Sequence, residues 1–308
     1  MRIVNQKSNI KNQKWGSRLG AAKGSSIREL MQEGTRLLEE AGVGNARAEI
    51  ELILSEATGL SRSELYLDAS AEAAPRARIL FERAVDLRKK RFPLQYITRR
   101  QGFRYLDIQV SRGVFIPRPE TELVVEEALK AAKRMEPPLV VADVGTGSGA
   151  IALSIASELE EVKVFALDVS SRALSMARRN ALIHHLNHKI CFLKSNLLSS
   201  LPQSLKGKMD LVVANPPYVA KSLLRRLQPE LAYEPSLALD GGEDGLRFYP
   251  PLVNQAYAYL KPKGALVVEL GESAAAVKDL LVSAGFSEID VLPDLNGCPR
   301  IAIGYKST

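Results

Sequence analysis

Long apolar runs are missing from this sequence. Every window of about 18 residues contains charged residues, glycine or proline, which is too polar for a membrane span. The first 15 residues also lack the continuous apolar stretch of a signal peptide. We therefore expect no membrane association and predict a cytoplasmic protein.

Cysteine and histidine are scarce as well. The two cysteines, Cys191 and Cys298, lie far apart and outside any Cys-x-x-Cys pair, so we expect reduced thiols rather than a disulfide or a metal pair. The histidines are His184, His185 and His188, which have no carboxylate or cysteine close in sequence, and no metal site is expected. An apolar share of 46% excludes intrinsic disorder, collagen-like repeats and a small disulfide scaffold.

Acidic residues are missing from the N-terminal segment. Residues 1–27 carry six basic groups and no acid, whereas residues 28–112 have a net charge of +2 and residues 113–308 a net charge of −1. Residues 1–26 show neither a strand period nor a helix period, so we predict a disordered basic tail. The total charge of +7 therefore bears on encounter with a partner and says little about the chemistry.

Helical periodicity begins after this tail. The residues expected to start the helices that follow the tail are Ser26, Asn45, Ser61 and Pro75. The helix after Pro75 is predicted to bury Ala77, Leu80, Ala84 and Leu87. We predict a small all-helical domain over residues 27–91 and a connector over residues 92–112.

From residue 113 onward, short apolar runs alternate with helical stretches. The predicted strands are Leu139–Val144, Val162–Leu167, Ile190–Leu193, Leu211–Ala214 and Ala265–Leu270. The predicted helices lie near residues 120–135, 149–159, 171–187, 246–260 and 273–284. This alternation predicts an α/β domain over residues 113–308, with helices on both faces of a parallel sheet. Ligands of such sheets bind at the carboxyl ends of the strands.

A glycine-rich loop, Gly145-Thr146-Gly147-Ser148-Gly149, joins the first of these strands to a helix. Its spacing matches neither the dinucleotide fingerprint nor a phosphate loop with Lys-Ser/Thr, so the expected ligand is a nucleoside. Asp168 ends the next strand, where a carboxylate can accept hydrogen bonds from both ribose hydroxyls. Capping of the following helix is the alternative role for Asp168.

The fourth strand runs into Asn215-Pro216-Pro217-Tyr218. The side-chain carbonyl of Asn215 and the main-chain carbonyl of Pro216 suit a planar –NH2 group, since each can accept one of its hydrogens while the Tyr218 ring excludes water. An amide nitrogen held in this way can aim its lone pair at an electrophile, so catalysis rests on orientation and needs no strong base or metal. A plain turn is the alternative interpretation.

These residues resemble the class I S-adenosylmethionine-dependent methyltransferases, and specifically the HemK family of release-factor glutamine methyltransferases. The similarity covers residues 27–306. The stretches that carry it are Pro93–Ile97, Phe115–Glu122, Gly145–Gly149, Asn215–Tyr218, Glu234-Pro235 and Ala238–Leu246. Asn-Pro-Pro-Tyr is shared with nucleic-acid amino-group methylases, whereas Pro-Arg-Pro-Glu-Thr-Glu makes the assignment specific.

The resemblance implies a Rossmann-like, mostly parallel seven-stranded methyltransferase domain preceded by a helical substrate-recognition domain. It implies S-adenosyl-L-methionine as methyl donor and peptide chain release factors as partners. The implied acceptor is the side-chain amide nitrogen of the glutamine in their Gly-Gly-Gln loop. We expect a monomer without a metal ion.

Site roles follow from the matching positions of the resemblance. The implied cofactor residues are Gly145, Thr146, Gly147, Ser148, Gly149, Asp168, Asn196 and Asn215. The implied substrate residues are Phe115, Arg118, Glu120, Asn215, Pro216, Pro217 and Tyr218. The implied catalytic residues are Asn215, Pro216 and Tyr218. The glycine loop would line the methionine part of the cofactor, and Asp168 would hold its ribose.

Two positions depart from the family pattern. Asn196 follows the third strand where related methyltransferases often place an acid or an aromatic near the adenine, although Asn can exchange hydrogen bonds with the adenine amino group. Arg99 stands where the family has glycine after Pro93–Ile97. Two alternative functions stay open: a methylase of an exocyclic amino group in rRNA or DNA, and a non-catalytic ribosome-associated protein with the same fold.

Basic residues also gather before the catalytic domain. The segment Arg83–Arg104 holds eight basic residues against one acid, Asp86. A solvated helix end and an electrostatic guide toward a release factor or ribosomal RNA are both consistent with this cluster.

Overall fold

The computed structural model describes residues 25–308. The chain forms two compact units that meet in sequence between Lys90 and Arg91. None of the helices in the described range combines the length and apolar content that a bilayer crossing requires. The predicted tail lies outside the described residues up to position 24, whereas Ser25 is buried and Ser26 caps the first helix.

From residue 25 onward, the first unit is built from four helices. They are α1 (Ile27–Glu40), α2 (Ala46–Thr58), α3 (Arg62–Leu67) and α4 (Pro75–Lys89). Ser61 starts α3 as predicted, and it does so in a capping box: the Glu64 main-chain N–H donates to the Ser61 hydroxyl, and the Ser61 N–H donates to the Glu64 carboxylate. Gly59 ends α2 in the left-handed region, at φ +78°.

The apolar face of α4 differs from the prediction. Leu80 and Leu87 are exposed, whereas Phe81 and Val85 are buried beside Ala84. The burial of Ala77 and Ala84 is as predicted, whereas the prediction for Leu80 and Leu87 is wrong. Phe81 fills this position because α1 presents Gly34, where an added Cβ would lie 2.7 Å from the Phe81 ring.

The second unit opens with a helix and a hairpin. Helix α5 (Leu94–Thr98) precedes the antiparallel strands β1 (Arg100–Phe103) and β2 (Leu106–Gln109), which the sequence patterns did not predict. Arg99 caps α5 at φ +61°, in the left-handed region that glycine adopts at least cost. The chain therefore makes the turn that a glycine would make, with an arginine.

The remaining elements form the large α/β sheet. Its strands are β3 (Leu139–Val144), β4 (Val162–Asp168), β5 (Ile190–Lys194), β6 (Met209–Ala214), β7 (Leu260–Glu269), β8 (Phe286–Pro293) and β9 (Pro299–Lys306). The helices are α6 (Glu122–Ala132), α7 (Ala150–Glu158), α8 (Ser171–Ile183), α9 (Lys221–Leu224), α10 (Tyr249–Tyr259) and α11 (Ala274–Ser283).

The sheet order is β5-β4-β3-β6-β7-β9-β8. Strands β3 to β7 run parallel, and β9 pairs antiparallel with both β7 and β8. Separate apolar clusters cover the two faces: Val141, Leu211 and Val267 belong to one, and Ala142, Val212 and Leu266 to the other. The predicted seven-stranded, mostly parallel fold is confirmed, and the carboxyl ends of β3, β4, β5 and β6 share one edge.

Candidate active site

A cavity of about 380 Å³ opens at this edge of the sheet. It brings together most of the predicted site residues: Phe115, Arg118, Gly145, Thr146, Gly147, Ser148, Asp168, Asn196, Asn215, Pro216, Pro217 and Tyr218. Gly149 and Glu120 do not line it. The nucleoside loop and the Asn-Pro-Pro-Tyr loop therefore face one cavity.

The glycine loop is held open toward this cavity. The main-chain N–H groups of Gly145 and Thr146 both donate to the carbonyl of Leu167, at 2.8 and 2.9 Å. Gly145 and Gly147 have φ of +77° and +58°, and an added Cβ at either would meet no atom closer than 3.8 Å. The two glycines thus leave room for a ligand to approach the backbone closely.

Gly149 has a different structural task. It precedes α7 at φ +90°, and an added Cβ would lie 3.1 Å from side-chain atoms of both Ala177 and Leu153. The sequence predicts Gly149 on the cofactor surface, but Gly149 does not line the cavity. A glycine is required there because α7 and α8 approach each other at this point.

Asp168 faces the cavity from the end of β4. Its Oδ2 accepts from the Gly147 N–H at 2.9 Å, and its Oδ1 accepts from the Ser170 N–H at 2.8 Å. Helix α8 is capped by the Ser170 hydroxyl, so Asp168 does not supply that cap. Burial raises the pKa of the Asp168 carboxyl above its ordinary value. Each oxygen retains a lone pair for a ligand hydroxyl.

Asp143 supports the same loop from inside the fold. It is fully buried, and its Oδ2 accepts from the Thr146 hydroxyl at 2.6 Å and from the Ala152 N–H at 3.1 Å. Burial raises its pKa to about 7. The sequence patterns did not single out Asp143, although an acid at the end of a buried strand before a glycine loop was a usable signal.

The side chain of Asn215 is oriented by a hydrogen bond. Its Nδ2 donates to the Thr121 hydroxyl at 3.0 Å. Within residues 25–308 no hydrogen bond uses the Asn215 Oδ1, so the carbonyl oxygen is the atom that faces a ligand. The adjacent Pro216 also lines the cavity; it has no N–H, and its main-chain carbonyl is a further acceptor of the same loop.

The Tyr218 hydroxyl donates to a buried carboxylate, Glu269 Oε1, at 3.1 Å. The other oxygen of Glu269 accepts from the Thr121 hydroxyl at 2.7 Å. Burial and then the nearby Glu269 charge raise the pKa of Tyr218, so the phenol stays protonated. Glu269 therefore connects both ends of the Asn-Pro-Pro-Tyr loop.

Three glycines enclose Tyr218. An added Cβ at Gly241 would lie 2.7 Å from the Tyr218 carbonyl carbon, and at Gly245 it would lie 2.5 Å from the Tyr218 carbonyl oxygen. At Gly271 it would lie 2.9 Å from the Tyr218 ring. The segment Asp240–Gly245 is glycine-rich because it packs directly on the backbone of the tyrosine.

Replacing Gly241 with alanine is therefore expected to displace Tyr218. The colliding atoms are backbone atoms of Tyr218 and Gly245, which no rotamer change can move away. We expect a loss of stability of about 1–3 kcal/mol, measured by thermal unfolding. Gly44→Ala is the matched control, because nothing lies within 4 Å of its added Cβ. Equal stability of the two variants would contradict this account of the glycine.

The rim of the cavity is fixed by a buried ion pair. Glu234, 7% exposed, accepts from the Ile116 N–H at 3.0 Å and pairs with the Arg118 guanidinium. That guanidinium lies 4.9 Å from the centre of the Phe115 ring. Glu234 thus ties the Phe115–Arg118 segment to the segment that follows Asn-Pro-Pro-Tyr.

Comparison with known proteins agrees with this geometry. The family models that match are the PrmC N-terminal domain, over residues 29–98, and the methyltransferase small domain, over residues 121–228. Release factor glutamine methyltransferase of Moorella thermoacetica is 40% identical over 286 residues, covering 91% of this chain and 99% of that protein. The enzyme of the same name from Geobacter sulfurreducens is 40% identical over 281 residues, covering 91% and 96%.

The chain belongs to the release factor glutamine methyltransferase family. The predicted family is thereby confirmed, and the α/β unit is a class I methyltransferase fold. The relative from Caulobacter vibrioides, 35% identical over 272 residues, carries the same name.

Several basic residues of the cluster Arg83–Arg104 form ion pairs with glutamates. Arg88 pairs with Glu49 at 2.5 Å, Arg91 with Glu230 at 2.7 Å and Arg104 with Glu158 at 2.6 Å. These cations stabilise their own units. Arg83, Lys89, Lys90 and Arg99 are exposed.

Proposed function

We propose that this protein transfers a methyl group from S-adenosyl-L-methionine to the side-chain amide nitrogen of the glutamine in the Gly-Gly-Gln motif of peptide chain release factors. The observation that carries the proposal is that Asn215, whose Nδ2 is held by Thr121 and whose Oδ1 makes no hydrogen bond within residues 25–308, lines the same cavity as the glycine loop and Asp168. Family membership supports the same substrate class.

The residues of the glycine loop fit the methyl donor. The open space beside Gly145 and Gly147 accommodates a ligand against the backbone, and the lone pairs left on Asp168 suit a ribose diol. Asn196 is exposed at the end of the cavity that follows β5, where it suits an adenine amino group. When bound, S-adenosylmethionine supplies a methyl group on a positively charged sulfur that leaves as a neutral thioether.

The substrate amide is recognised by two acceptors. The Asn215 Oδ1 and the Pro216 carbonyl each accept one hydrogen of the glutamine –NH2, which fixes the plane of that group. The Tyr218 ring covers the amide and excludes water. With both hydrogens held, the nitrogen lone pair is directed at the methyl donor, so orientation and fixed dipoles lower the barrier. The new N–C bond replaces the S–C bond, and the methylated nitrogen gives up one of its two hydrogens as a proton to solvent.

The outer cavity suits a peptide that carries the glutamine. Its lining beyond Tyr218 is mostly apolar, and the residues that supply it are Leu227, Leu231, Pro235, Leu237, Leu239 and Phe248. Phe115 and Arg118 also line the cavity and help to close it around the substrate, and the exposed Glu120, which does not line it, assists from outside. A loop of small residues such as Gly-Gly-Gln reaches the inner acceptors without a bulky side chain before the glutamine.

Roles outside the catalytic cavity complete the proposal. The helical unit recognises the release factor, and the exposed basic residues together with the tail guide encounter with it or with nearby ribosomal RNA. The protein acts in the cytoplasm as a monomer, without a metal ion.

The test compares four possible methyl acceptors in separate incubations. The protein is incubated with labelled S-adenosylmethionine and either a release factor, the same factor with its Gly-Gly-Gln glutamine changed to alanine, ribosomal RNA or DNA. We expect label only in the release factor that retains its Gly-Gly-Gln glutamine. Label in nucleic acid and none in release factor would overturn the proposal, and failure to bind S-adenosylmethionine in calorimetry would favour a non-catalytic protein.

A further inference from the structure

A buried acid lies next to the Asn-Pro-Pro-Tyr loop without touching the cavity. Glu269 ends β7 and is 1% exposed. Strand β7 pairs with β6 in a register that sets Val268 beside Ala214, the residue before Asn215. Glu269 therefore lies at the same end of the sheet as Asn215, where the loop begins.

The two carboxylate oxygens of Glu269 serve opposite ends of the loop. Oε2 accepts from the Thr121 hydroxyl at 2.7 Å, and Thr121 in turn accepts from Asn215 Nδ2 at 3.0 Å. Oε1 accepts from the Tyr218 hydroxyl at 3.1 Å. One carboxylate thus restrains both the residue that faces the methyl acceptor and the ring that covers it.

The direction of these hydrogen bonds selects one orientation of the Asn215 amide. A threonine hydroxyl has a single hydrogen, and here it goes to Glu269. The side of the hydroxyl that faces Asn215 therefore only accepts, which requires the Asn215 –NH2 there and turns the carbonyl oxygen to the cavity. If Thr121 were free to donate to Asn215, the Asn215 amide could turn over and present its –NH2 to the cavity. An –NH2 group there cannot accept hydrogen bonds from the –NH2 group of a substrate.

We propose that Glu269, as a carboxylate, is a positioning residue that sets the orientation of the Asn215 amide through Thr121 and holds the Tyr218 ring in place. This inference rests on the proposed function, because the orientation matters for an acceptor that donates two hydrogens. Glu269 acts through Asn215 and Tyr218 and makes no contact with the substrate.

The surroundings of Glu269 make its charge sensitive to pH. Burial raises its pKa to about 7; Glu120 adds to this rise, whereas the hydroxyls of Thr121 and Tyr218 and the charge of Arg300 oppose it. Tyr249 donates to the main-chain carbonyl of Glu269 at 2.9 Å and leaves the carboxylate to the other two hydroxyls. As the pH falls through this value the carboxyl takes up a proton and loses one acceptor site, so turnover is expected to fall on the acid side.

The test is Glu269→Gln, which keeps the size and packing of the side chain. Thr121 donates to one carboxylate oxygen and Tyr218 to the other, and the amide has –NH2 in place of one of these oxygens, so one of the two hydroxyls loses its acceptor. We expect turnover to fall about 100-fold, with the affinity for S-adenosylmethionine and the melting temperature close to wild type. The acid limb of the turnover profile, measured with saturating S-adenosylmethionine so that weaker cofactor binding does not contribute, should disappear. Glu272→Gln, which removes an exposed carboxylate three residues further along, is the matched control and should behave as wild type.

A second pair of variants separates positioning from packing. Thr121→Val keeps the shape but removes the hydroxyl, and it should reproduce the Glu269→Gln defect; Thr121→Ser keeps the hydroxyl and should restore most of the turnover. Heteronuclear NMR of the Asn215 side-chain amide supplies a readout that needs no substrate. Its resonances should shift in Glu269→Gln and Thr121→Val and stay in place in Glu272→Gln.

The outcomes separate this inference from the proposed function. A wild-type protein that fails to methylate release factor, with the NMR shifts present, would remove the proposed function and leave the orienting role. An active wild type together with unchanged turnover, acid limb and amide resonances in Glu269→Gln would overturn the orienting role. A loss of turnover that merely follows a loss of cofactor binding or stability would also overturn it.

Discussion

Replacement of Asn215 by alanine is expected to lower the turnover of methyl transfer by about 100- to 1000-fold, which is the size of effect seen when one fixed polar group is removed from an active site. In the proposed mechanism the Asn215 Oδ1 is one of two acceptors for the substrate amide, and its loss lets the amide rotate away from the line of attack. Affinity for S-adenosylmethionine should change little, because Asp168 and the glycine loop remain.

The measurement is single-turnover methyl transfer alongside calorimetric titration with S-adenosylmethionine. Asn254→Ala, which changes an exposed asparagine on α10, is the matched control. Unchanged turnover in Asn215→Ala would refute the role assigned to this residue. A parallel collapse of cofactor affinity would instead make Asn215 mainly a cofactor residue.

Replacement of Asp168 by asparagine is expected to weaken binding of S-adenosylmethionine by about 100-fold, since hydrogen bonds to a charged acceptor contribute about 1.5–3 kcal/mol each. The native carboxylate accepts an N–H at each oxygen, from Gly147 and from Ser170. An asparagine must turn its –NH2 toward one of these N–H groups, and the two donors repel each other. The ribose hydroxyls also lose their charged acceptor.

The pH dependence of cofactor binding tests the same carboxylate. Because burial raises the pKa of Asp168, it takes up a proton at a higher pH than an ordinary aspartate. Wild-type affinity should therefore decline on mild acidification, and Asp168→Asn should lack that decline. Asp290→Asn, which alters an exposed aspartate on β8, is the control, and its cofactor affinity should depend on pH as that of the wild type does. An affinity that is independent of Asp168 would exclude this residue from the cofactor site.

Features written in contiguous residues were predictable from the sequence. Strand β3 was predicted with the bounds that the structure gives it, and Asp168 and Asn215 lie at the strand ends where ligands of parallel sheets bind. Such features depend on local periodicity and on a general property of the fold, so no knowledge of distant contacts was needed.

Features that depend on distant contacts were not predictable in the same way. The chain from Asn215 through Thr121 to Glu269 joins residues 94 and 148 positions apart, and it forms only because β6 pairs with β7. The carboxyl-end rule, applied to the predicted strand Ala265–Leu270, would have drawn attention to Glu269. The predicted burial of Leu80 was wrong because Phe81 packs against Gly34 in its place, and no periodicity within α4 reveals that space.

The central claim is tested most directly by mass spectrometry of the Gly-Gly-Gln peptide of release factors. The peptide is taken from cells that make this protein, from cells that lack it and from cells that carry only Asn215→Ala. We predict one additional methyl group, located by fragmentation on the glutamine side chain, in the first sample alone. An unmodified glutamine in all three samples, or an equally methylated glutamine in the absence of this protein, would contradict the account.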